Sequence, residues 1–458
     1  MDSANRIYAL EDVLGTHLRR AAVWGMPIDS GWIACLLIVL FSAYGTLTHF
    51  MMAEDATVLF NHYNGISDAA PLFHYQGYVS VPQQILALAF SEFPKGLQPV
   101  LYSSAVTAIW LVLVFCARKY WDAAPAVAIL ALFLFYSDPI YFSNLTYSLW
   151  PSLICLALIG AGMAAGNEEL PWWLACVAIC LAWASPLSIC AAIPLAVAAY
   201  LRRDLRLTLV AVTTVAAFFL LRDTSAQARG GDFISMVNNA SSNVHHVISN
   251  SGSLRQEMSI RSIARVYAAF FVTLATLSFL AFTGWRVVRD RRSASPLVVR
   301  NLLLALFAVA TFWAFVASKP SVDLFVRGGT RYYFPMLVFG AFLIFSVVRT
   351  IGLERTFIAG ALVLLVPLAL VVAIERGPDA IVGLRAFTAL SAPEASAAYV
   401  VTRKDGGKDY SLYVGPARYS MADCRDIRTD VSQVPRLYCG DQRYILLENP
   451  PVQVDDQP

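Results

Sequence analysis

The stretch Gly31–Phe50 reads GWIACLLIVLFSAYGTLTHF and contains no Lys, Arg, Asp or Glu. An α-helix needs about 20 such residues to cross a bilayer. Over the whole chain 58% of the residues are hydrophobic and 14% are charged, whereas a soluble domain carries about 25% charge. The sequence therefore predicts an all-α polytopic membrane protein. The chain has no long run of basic residues, so binding to nucleic acid is not expected.

Further apolar runs follow, and the flanking charges predict their direction. Lys and Arg favour cytoplasmic loops, and their clusters all fall on one side only if 172–200 forms a short hairpin broken at Ser185-Pro186. The alternative, a single kinked helix, would invert every later segment. We expect about 11 transmembrane segments, some short or broken, from these runs: 31–50, 99–117, 123–136, 150–165, 172–184, 187–200, 206–221, 262–285, 301–318, 332–348 and 356–374.

This pattern predicts three regions. Residues 1–30 form a cytoplasmic lead-in, residues 31–374 form the transmembrane domain with a first external loop at 51–98, and residues 375–458 form a small external α/β segment. In that segment YSLYVG (410–415) and RYILLE (443–448) are typical of short strands. Cys424 and Cys439 lie there too, and an external location favours a disulfide between them; the alternative is two free thiols.

The pair Glu54-Asp55 follows the first apolar run directly. A carboxylate near lipid is costly unless it has a function or a partner. An acidic group at this position suits a general base for a sugar hydroxyl. The alternative is an ordinary helix end, where acidic side chains meet the helix dipole favourably. Asp55 with His62 of the same loop can also hold a divalent cation, although loops containing His are often merely solvated.

A second candidate region is 323–335, DLFVRGGTRYYFP, at the outer end of a late apolar run. It contains Arg327 and Arg331, and Lys319 precedes it. Guanidinium groups bind phosphate oxygens in a fork and stay charged. Cations on an external face run against the usual bias, so a lipid phosphate or pyrophosphate is the expected ligand. The alternative is that the Arg side chains only extend to the membrane surface.

A third candidate is 136–151, YSDPIYFSNLTYSLWP, a predicted external turn that contains Asn144. Aromatic residues at this depth are also routine interfacial anchors. The chain has no phosphate-binding P-loop, GxGxxG, HExxH or paired CxxC motif. Nucleotide-driven transport and standard zinc hydrolysis are therefore not expected.

Four segments in order resemble bacterial membrane glycosyltransferases of the GT-C type. They are EDATVLFNHYNGI with PLFHYQGYVSVPQQILALAF (54–90), SNLTYSLWPSLICLAL (143–158), CLAWASPLSICAAIPLAV (180–197) and RYYFP (331–335). The resemblance covers roughly residues 31–350. The sequence departs from the family pattern at Gln83, where an Arg is expected after Pro82, at Tyr147, where an Asn is usual, and at Ala184-Ser185-Pro186, which lacks a Gly.

The resemblance implies an inverting glycosyltransferase of the bacterial inner membrane, with a GT-C-like bundle and an active site facing the periplasm. It would move a sugar from a polyprenyl-phosphate donor to a glycan or lipid-linked acceptor, with Asp55 or Glu54 as base. The residues expected to bind substrate are Arg331, Arg327, Lys319, His74, Tyr78, Asn144 and Tyr332. No cofactor is implied with certainty, and a divalent cation is an alternative.

Rival functions stay open at this point. A transporter or flippase of polyprenyl-linked lipids places polar groups at mid-membrane in broken helices, and the break at Ser185-Pro186 favours it. A polymerase or ligase of surface polysaccharide would also bind polyprenyl pyrophosphate with external Arg residues. A non-enzymatic scaffold in contact with membrane lipids is the third alternative.

Overall fold

The structure of the chain is a computed structural model, which describes residues 30–48, 55, 59, 63, 72–73, 79–94, 97–137, 139–166, 168–221, 296–318, 334–350, 352–375, 424–428, 436–439 and 442–445. These residues form eleven α-helices and one three-stranded sheet. The helices are α1 Ser30–Thr48, α2 Val81–Ser91, α3 Gln98–Trp121, α4 Ala124–Ser137, α5 Leu149–Ala165, α6 Trp172–Ala182, α7 Ile189–Arg202, α8 Leu205–Leu221, α9 Pro296–Ser318, α10 Phe334–Thr350 and α11 Glu354–Glu375. Short 3₁₀ helices occur at Pro139–Phe142, Thr146–Ser148 and Pro186–Ser188.

Three of the described helical stretches are long and apolar enough to cross a bilayer. They are Gln98–Trp121, Thr146–Ala165 and Thr356–Ile374. The apolar stretches found in the other described helices are shorter, at 10–17 residues. The chain is therefore a helical protein of the membrane type, as the sequence predicts. Crossing by all 11 segments stays a prediction, and the segment 262–285 lies outside the described residues.

Helix α5 lies at the centre of the described bundle. Every residue from Leu149 to Met163 is buried, because α3, α7 and α9 all pack against it. Its approach to α7 is very close: a Cβ atom at Gly160 would lie 2.7 Å from the backbone N of Leu195 and from the backbone C of Pro194. Glycine at this position therefore sets the distance between the two helices.

Charged residues of several described loops between helices meet at one end of the bundle. Lys119 Nζ lies 3.8 Å from Glu168 Oε2, and Arg349 pairs with Asp122 at the end of α3. Ion pairs at a surface contribute little stability. These pairs are useful here because they show which helix ends lie on the same side of the bundle. This side of the bundle is called here the charged end. It contains three of the clusters predicted to be cytoplasmic, all at helix ends: Arg118-Lys119, Arg202 to Arg206 and Arg349.

The opposite end joins the first loop to two later helices. Val79 N donates to Leu221 O at 3.0 Å, at the end of α8. Val81 N donates to Trp183 O at 3.2 Å, just after α6. These backbone bonds attach the start of α2 to the bundle, and this side is called here the loop end.

The segment 172–200 is a hairpin, as the charge pattern predicts. Helix α6 begins at the charged end, where the Arg206 guanidinium lies 5.8 Å from the Trp172 ring centroid. It ends at the loop end, where Trp183 O accepts from Val81 N. After the 3₁₀ turn Pro186–Ser188, α7 returns to the charged end. A single kinked helix is therefore excluded for this segment.

The described part of the tail is an antiparallel sheet in the order β1-β2-β3, with β1 Cys424–Arg428, β2 Arg436–Cys439 and β3 Gln442–Ile445. Strand β3 overlaps the predicted strand 443–448, whereas β1 and β2 were not predicted. The predicted strand 410–415, and any helix of the tail, lie outside the described residues. In the β1–β2 ladder, Cys424 is the direct partner of Cys439.

Gly160→Ala should destabilise the protein by about 1–3 kcal/mol, since the added methyl group meets backbone atoms of α7 that cannot move aside easily. Gly360→Ala on α11 is the matched control, because a Cβ there meets nothing within 4 Å. Thermal unfolding in detergent measures both. Equal transition temperatures for the two variants would contradict the close approach.

The register of β1 and β2 predicts a disulfide between Cys424 and Cys439. Directly paired residues of antiparallel strands have Cα atoms about 4.5–5.5 Å apart, which suits a disulfide. The chain has 8 cysteines, so protein purified without reductant should show six alkylatable thiols after denaturation and eight after reduction. Cys424→Ser should give seven under both conditions, and eight thiols in unreduced wild type would exclude the bond.

Candidate functional site

Asp55 is buried against a turn that lies ninety residues later in the chain. Only 1% of its surface is exposed. Its Oδ2 accepts a hydrogen bond from the N–H of Leu145. Its Oδ1 accepts from the N–H and from the Oγ1 hydroxyl of Thr146, both at 2.8 Å. Both carboxylate oxygens are therefore held by groups of the segment 139–148, called here the NLT turn.

The local structure of the NLT turn explains this contact. Two 3₁₀ helices, Pro139–Phe142 and Thr146–Ser148, precede α5 directly. The first N–H groups of a helix lack partners within it, and the helix dipole favours negative charge there. Asp55 supplies acceptors for two of these N–H groups. Asn144 supplies another acceptor, because its Oδ1 accepts from Tyr147 N at 3.1 Å.

Helix α2 is attached to the same turn. Gln83 is 2% exposed, and its Nε2 donates to Ser148 Oγ at 3.2 Å. The neighbouring Gln84 binds the first loop: its Nε2 donates to Phe73 O at 2.8 Å and its Oε1 accepts from Phe73 N at 3.0 Å. The loop and α2 therefore form one unit around the start of α5.

Tyr63 also belongs to this unit. Its hydroxyl donates to Gln84 Oε1 at 3.5 Å, and its ring lies 6.1 Å from that of Phe73. Burial raises the pKa of the Tyr63 phenol to about 12. The side chain therefore stays neutral, and it can act as a hydrogen-bond donor over the whole physiological pH range.

An aromatic cluster packs against the NLT turn. The Tyr141 ring stacks on that of Phe334 at 5.4 Å, and the Trp110 indole N–H donates to Tyr141 O at 2.9 Å. Trp150 meets Phe334 edge-on at 6.0 Å. Phe334 is the first residue of α10, so the start of this late helix lies beside the turn that holds Asp55.

Three buried polar atoms around this unit have no hydrogen-bond partner among the described residues. They are Gln83 Oε1, Tyr102 Oη and Ser143 Oγ. The sequence alone gives no reason to select Tyr102 or Ser143, and Gln83 stands out in it only as a departure from a family pattern. Tyr102 lies in the predicted apolar run 99–117, beside Ser103 and Ser104, where one more hydroxyl gives little signal.

The predicted site residues are described only in part. The structure brings Asp55 and the predicted substrate-binding residue Asn144 to one turn. Asn144 is 2% exposed and caps that turn, so its contact with substrate stays a prediction. The other predicted residues lie outside the described part of the chain: Glu54, His62, His74, Tyr78, Lys319, Arg327, Arg331 and Tyr332. Within the described ranges no group of three His, Cys, Asp or Glu side chains can hold a metal ion.

Asp55→Asn should lower the free energy of unfolding by about 0.5–2 kcal/mol, because it replaces one acceptor oxygen that serves the N–H groups before α5 by a donor. Thr146→Val should cost less, since it removes only the hydroxyl contact. Unfolding in detergent followed by circular dichroism measures both.

The double variant Asp55→Asn/Thr146→Val is the control for this contact. Because the two side chains share one hydrogen bond, the double variant should lose less stability than the sum of the two single changes. Strict additivity would contradict a direct contact between Asp55 and Thr146.

Comparison of the chain with protein-family models, with curated proteins and with solved structures gave no match. The functional argument for this site therefore rests on its own residues and contacts.

Proposed function

We propose that the chain is a membrane glycosyltransferase that moves a sugar from a polyprenyl-phosphate donor to a glycan or lipid-linked acceptor on the periplasmic side of a bacterial inner membrane. The observation that carries the proposal is the binding of the Asp55 carboxylate to the NLT turn. The first external loop and the segment SNLTYSLWP are two of the four segments that resemble GT-C enzymes. Their contact is what a shared site requires.

The aromatic cluster connects the NLT turn to the helix that follows the predicted basic region 323–335. Phe334 stacks on Tyr141 of the NLT turn, and Arg331 precedes Phe334 by three residues. The helix that follows the predicted phosphate-binding Arg331 thus begins beside the turn that binds Asp55, which supports a shared site for segments that are 276 positions apart in the sequence.

The reaction follows from these groups. A carboxylate of the Glu54-Asp55 pair takes the proton of the acceptor hydroxyl, whose oxygen attacks the anomeric carbon of the donor sugar. The bond between that carbon and the phosphate oxygen breaks, and polyprenyl phosphate leaves. Arg331, Arg327 and Lys319 stabilise the negative charge of the leaving phosphate, which is commonly a large catalytic contribution. One displacement inverts the anomeric configuration.

The hydrogen bonds of Asp55 bear on its role in this scheme. Hydrogen bonds from two backbone N–H groups fix the carboxylate in one orientation. Catalytic groups depend on such fixed placement. Asp55 therefore orients the acidic pair, and either Asp55 or Glu54 is the base. Variants of each residue separate the two assignments.

The transporter alternative loses its main support in this structure. It rested on the break at Ser185-Pro186, since transporters bind substrate at helices broken near the middle of the membrane. Here the break is a turn between α6 and α7 at the loop end, where Ser185 Oγ accepts from Leu187 N at 3.2 Å. A turn at the end of a hairpin needs no transport function.

Purified protein incubated with radiolabelled polyprenyl-phosphate sugars and membrane lipid extract should release polyprenyl phosphate. Loss of the base should reduce the rate by about 10²-fold or more, through Asp55→Asn or through Glu54→Gln. Arg331→Ala should reduce it as well, with partial recovery in Arg331→Lys, which keeps the charge. Arg349→Ala is the control, because Arg349 pairs with Asp122 at the charged end, and it should retain the wild-type rate.

Two results would overturn the proposal. One is normal transfer by the double variant Glu54→Gln/Asp55→Asn, provided that a matched folded fraction is compared. The other is movement of the labelled lipid across liposomes without turnover in wild type, which would identify a flippase.

A further inference from the structure

Three polar atoms at the loop end are buried without a partner in the described part of the chain. Tyr102 is 1% exposed, Gln83 is 2% exposed and Ser143 is 9% exposed. Their unpartnered atoms are the phenol oxygen, the amide Oε1 and the hydroxyl oxygen. A buried polar atom without a hydrogen bond is unfavourable, and such atoms often serve a ligand.

The residues that carry these atoms lie at the loop end, where Asp55 binds the turn before α5. The other end of the Gln83 amide binds Ser148 Oγ in the NLT turn, so Oε1 lies beside the same helix terminus. Ser143 directly precedes Asn144 in that turn. The Tyr102 ring, near the start of α3, lies 5.7 Å from that of Phe90 on α2, the helix that also carries Gln83. The three residues and Asp55 thus all lie at the loop end, and they are taken together as one cluster.

The charge of this cluster decides which ligand it suits. It contains the Asp55 carboxylate, amide and hydroxyl groups, whereas the described basic side chains with ion pairs, Lys119, Arg206 and Arg349, lie at the charged end. A phosphate placed beside a carboxylate and an amide oxygen would be repelled. A hydroxyl group can donate to Gln83 Oε1 and accept from the Tyr102 phenol. The cluster therefore suits a neutral ligand with several hydroxyl groups.

We infer that Gln83, Tyr102 and Ser143 form a subsite that binds the hydroxyl groups of a sugar beside Asp55, separate from the groups that bind the lipid phosphate. The inference rests on the proposed function, in that the sugar is the one attached to the polyprenyl phosphate. Gln83 stands where the resembled enzymes have an Arg, and a neutral amide fits a sugar contact at this position.

The test uses full-length protein in detergent and three soluble probes: citronellyl phosphate, citronellyl-phosphoglucose and citronellyl-phosphomannose. Wild type should bind at least one of the sugar probes more tightly than citronellyl phosphate. Tyr102→Phe should weaken that sugar probe by about 2- to 10-fold, which is the usual effect of one hydrogen bond. It should leave binding of citronellyl phosphate unchanged.

Tyr120→Phe is a matched control on the same helix. The Tyr120 phenol oxygen is also buried without a partner among the described residues, but it lies at the charged end of α3. The Tyr120→Phe variant should bind every probe as wild type does. Neither Phe variant should melt earlier than wild type, because each removes a hydroxyl that makes no hydrogen bond in the described structure. Gln83→Leu gives a second measurement and should show the same selective loss as Tyr102→Phe.

The outcomes separate the subsite from the reaction. Unchanged sugar binding in both Tyr102→Phe and Gln83→Leu would overturn the subsite and leave the transferase intact. Ordered water would then be the partner of these atoms. A wild type that binds neither sugar probe better than citronellyl phosphate would overturn it too. Selective loss of sugar binding, in a protein that shows no turnover, would support the subsite and remove the proposed transfer.

Discussion

The described structure depends on one carboxylate that is taken out of water. A buried negative charge is costly unless it is hydrogen-bonded, and Asp55 meets this need with the N–H groups of Leu145 and Thr146. The same bonds supply acceptors to the turn that begins α5. Since α5 is the central helix of the bundle, the contact connects the first loop to the core. Asp55 therefore couples the loop to the turn and to the core helix, together with the hydrogen bond from Gln83 to Ser148.

The two ends of the bundle have different chemistry. At the charged end, Lys119, Arg206 and Arg349 pair with acidic residues. At the loop end, aromatic rings, amides and hydroxyls surround one carboxylate. This separation follows the distribution of Lys and Arg along the chain, and the described ion pairs between loops lie at the charged end.

Some of this arrangement is predictable from the sequence, and the reason differs between elements. The break at Ser185-Pro186 and the flanking Arg residues predict the hairpin, because proline disrupts a helix and cationic residues indicate the side of a loop. Asp55 and Asn144 were both selected, but as members of separate segments. Their meeting depends on how α1, α3 and α5 pack, and no local pattern encodes that packing.

Other elements escaped prediction for clear physical reasons. Strands β1 and β2, CRDIR and RLYC, are four or five residues long and contain charged residues, so they lack the alternation that marks a strand. Tyr102 lies within an apolar helix, where a tyrosine most often packs as a hydrophobic ring. Only the three-dimensional structure shows that its hydroxyl is buried without a hydrogen-bond partner among the described residues.

The hairpin of α6 and α7 has a consequence for the surrounding lipid. These helices have 11 and 14 residues, which corresponds to lengths of about 17 and 21 Å, whereas the hydrocarbon core of a bilayer is about 30 Å thick. Their outer faces are apolar, with Trp172, Trp173 and Ile193 about half exposed. Such hydrophobic mismatch is relieved by local thinning of the bilayer. Were both helices to cross the bilayer, as the sequence predicts, the two headgroup layers would approach each other on this flank, and the phosphate of a lipid that diffuses past would lie closer to the mid-plane than elsewhere in the membrane.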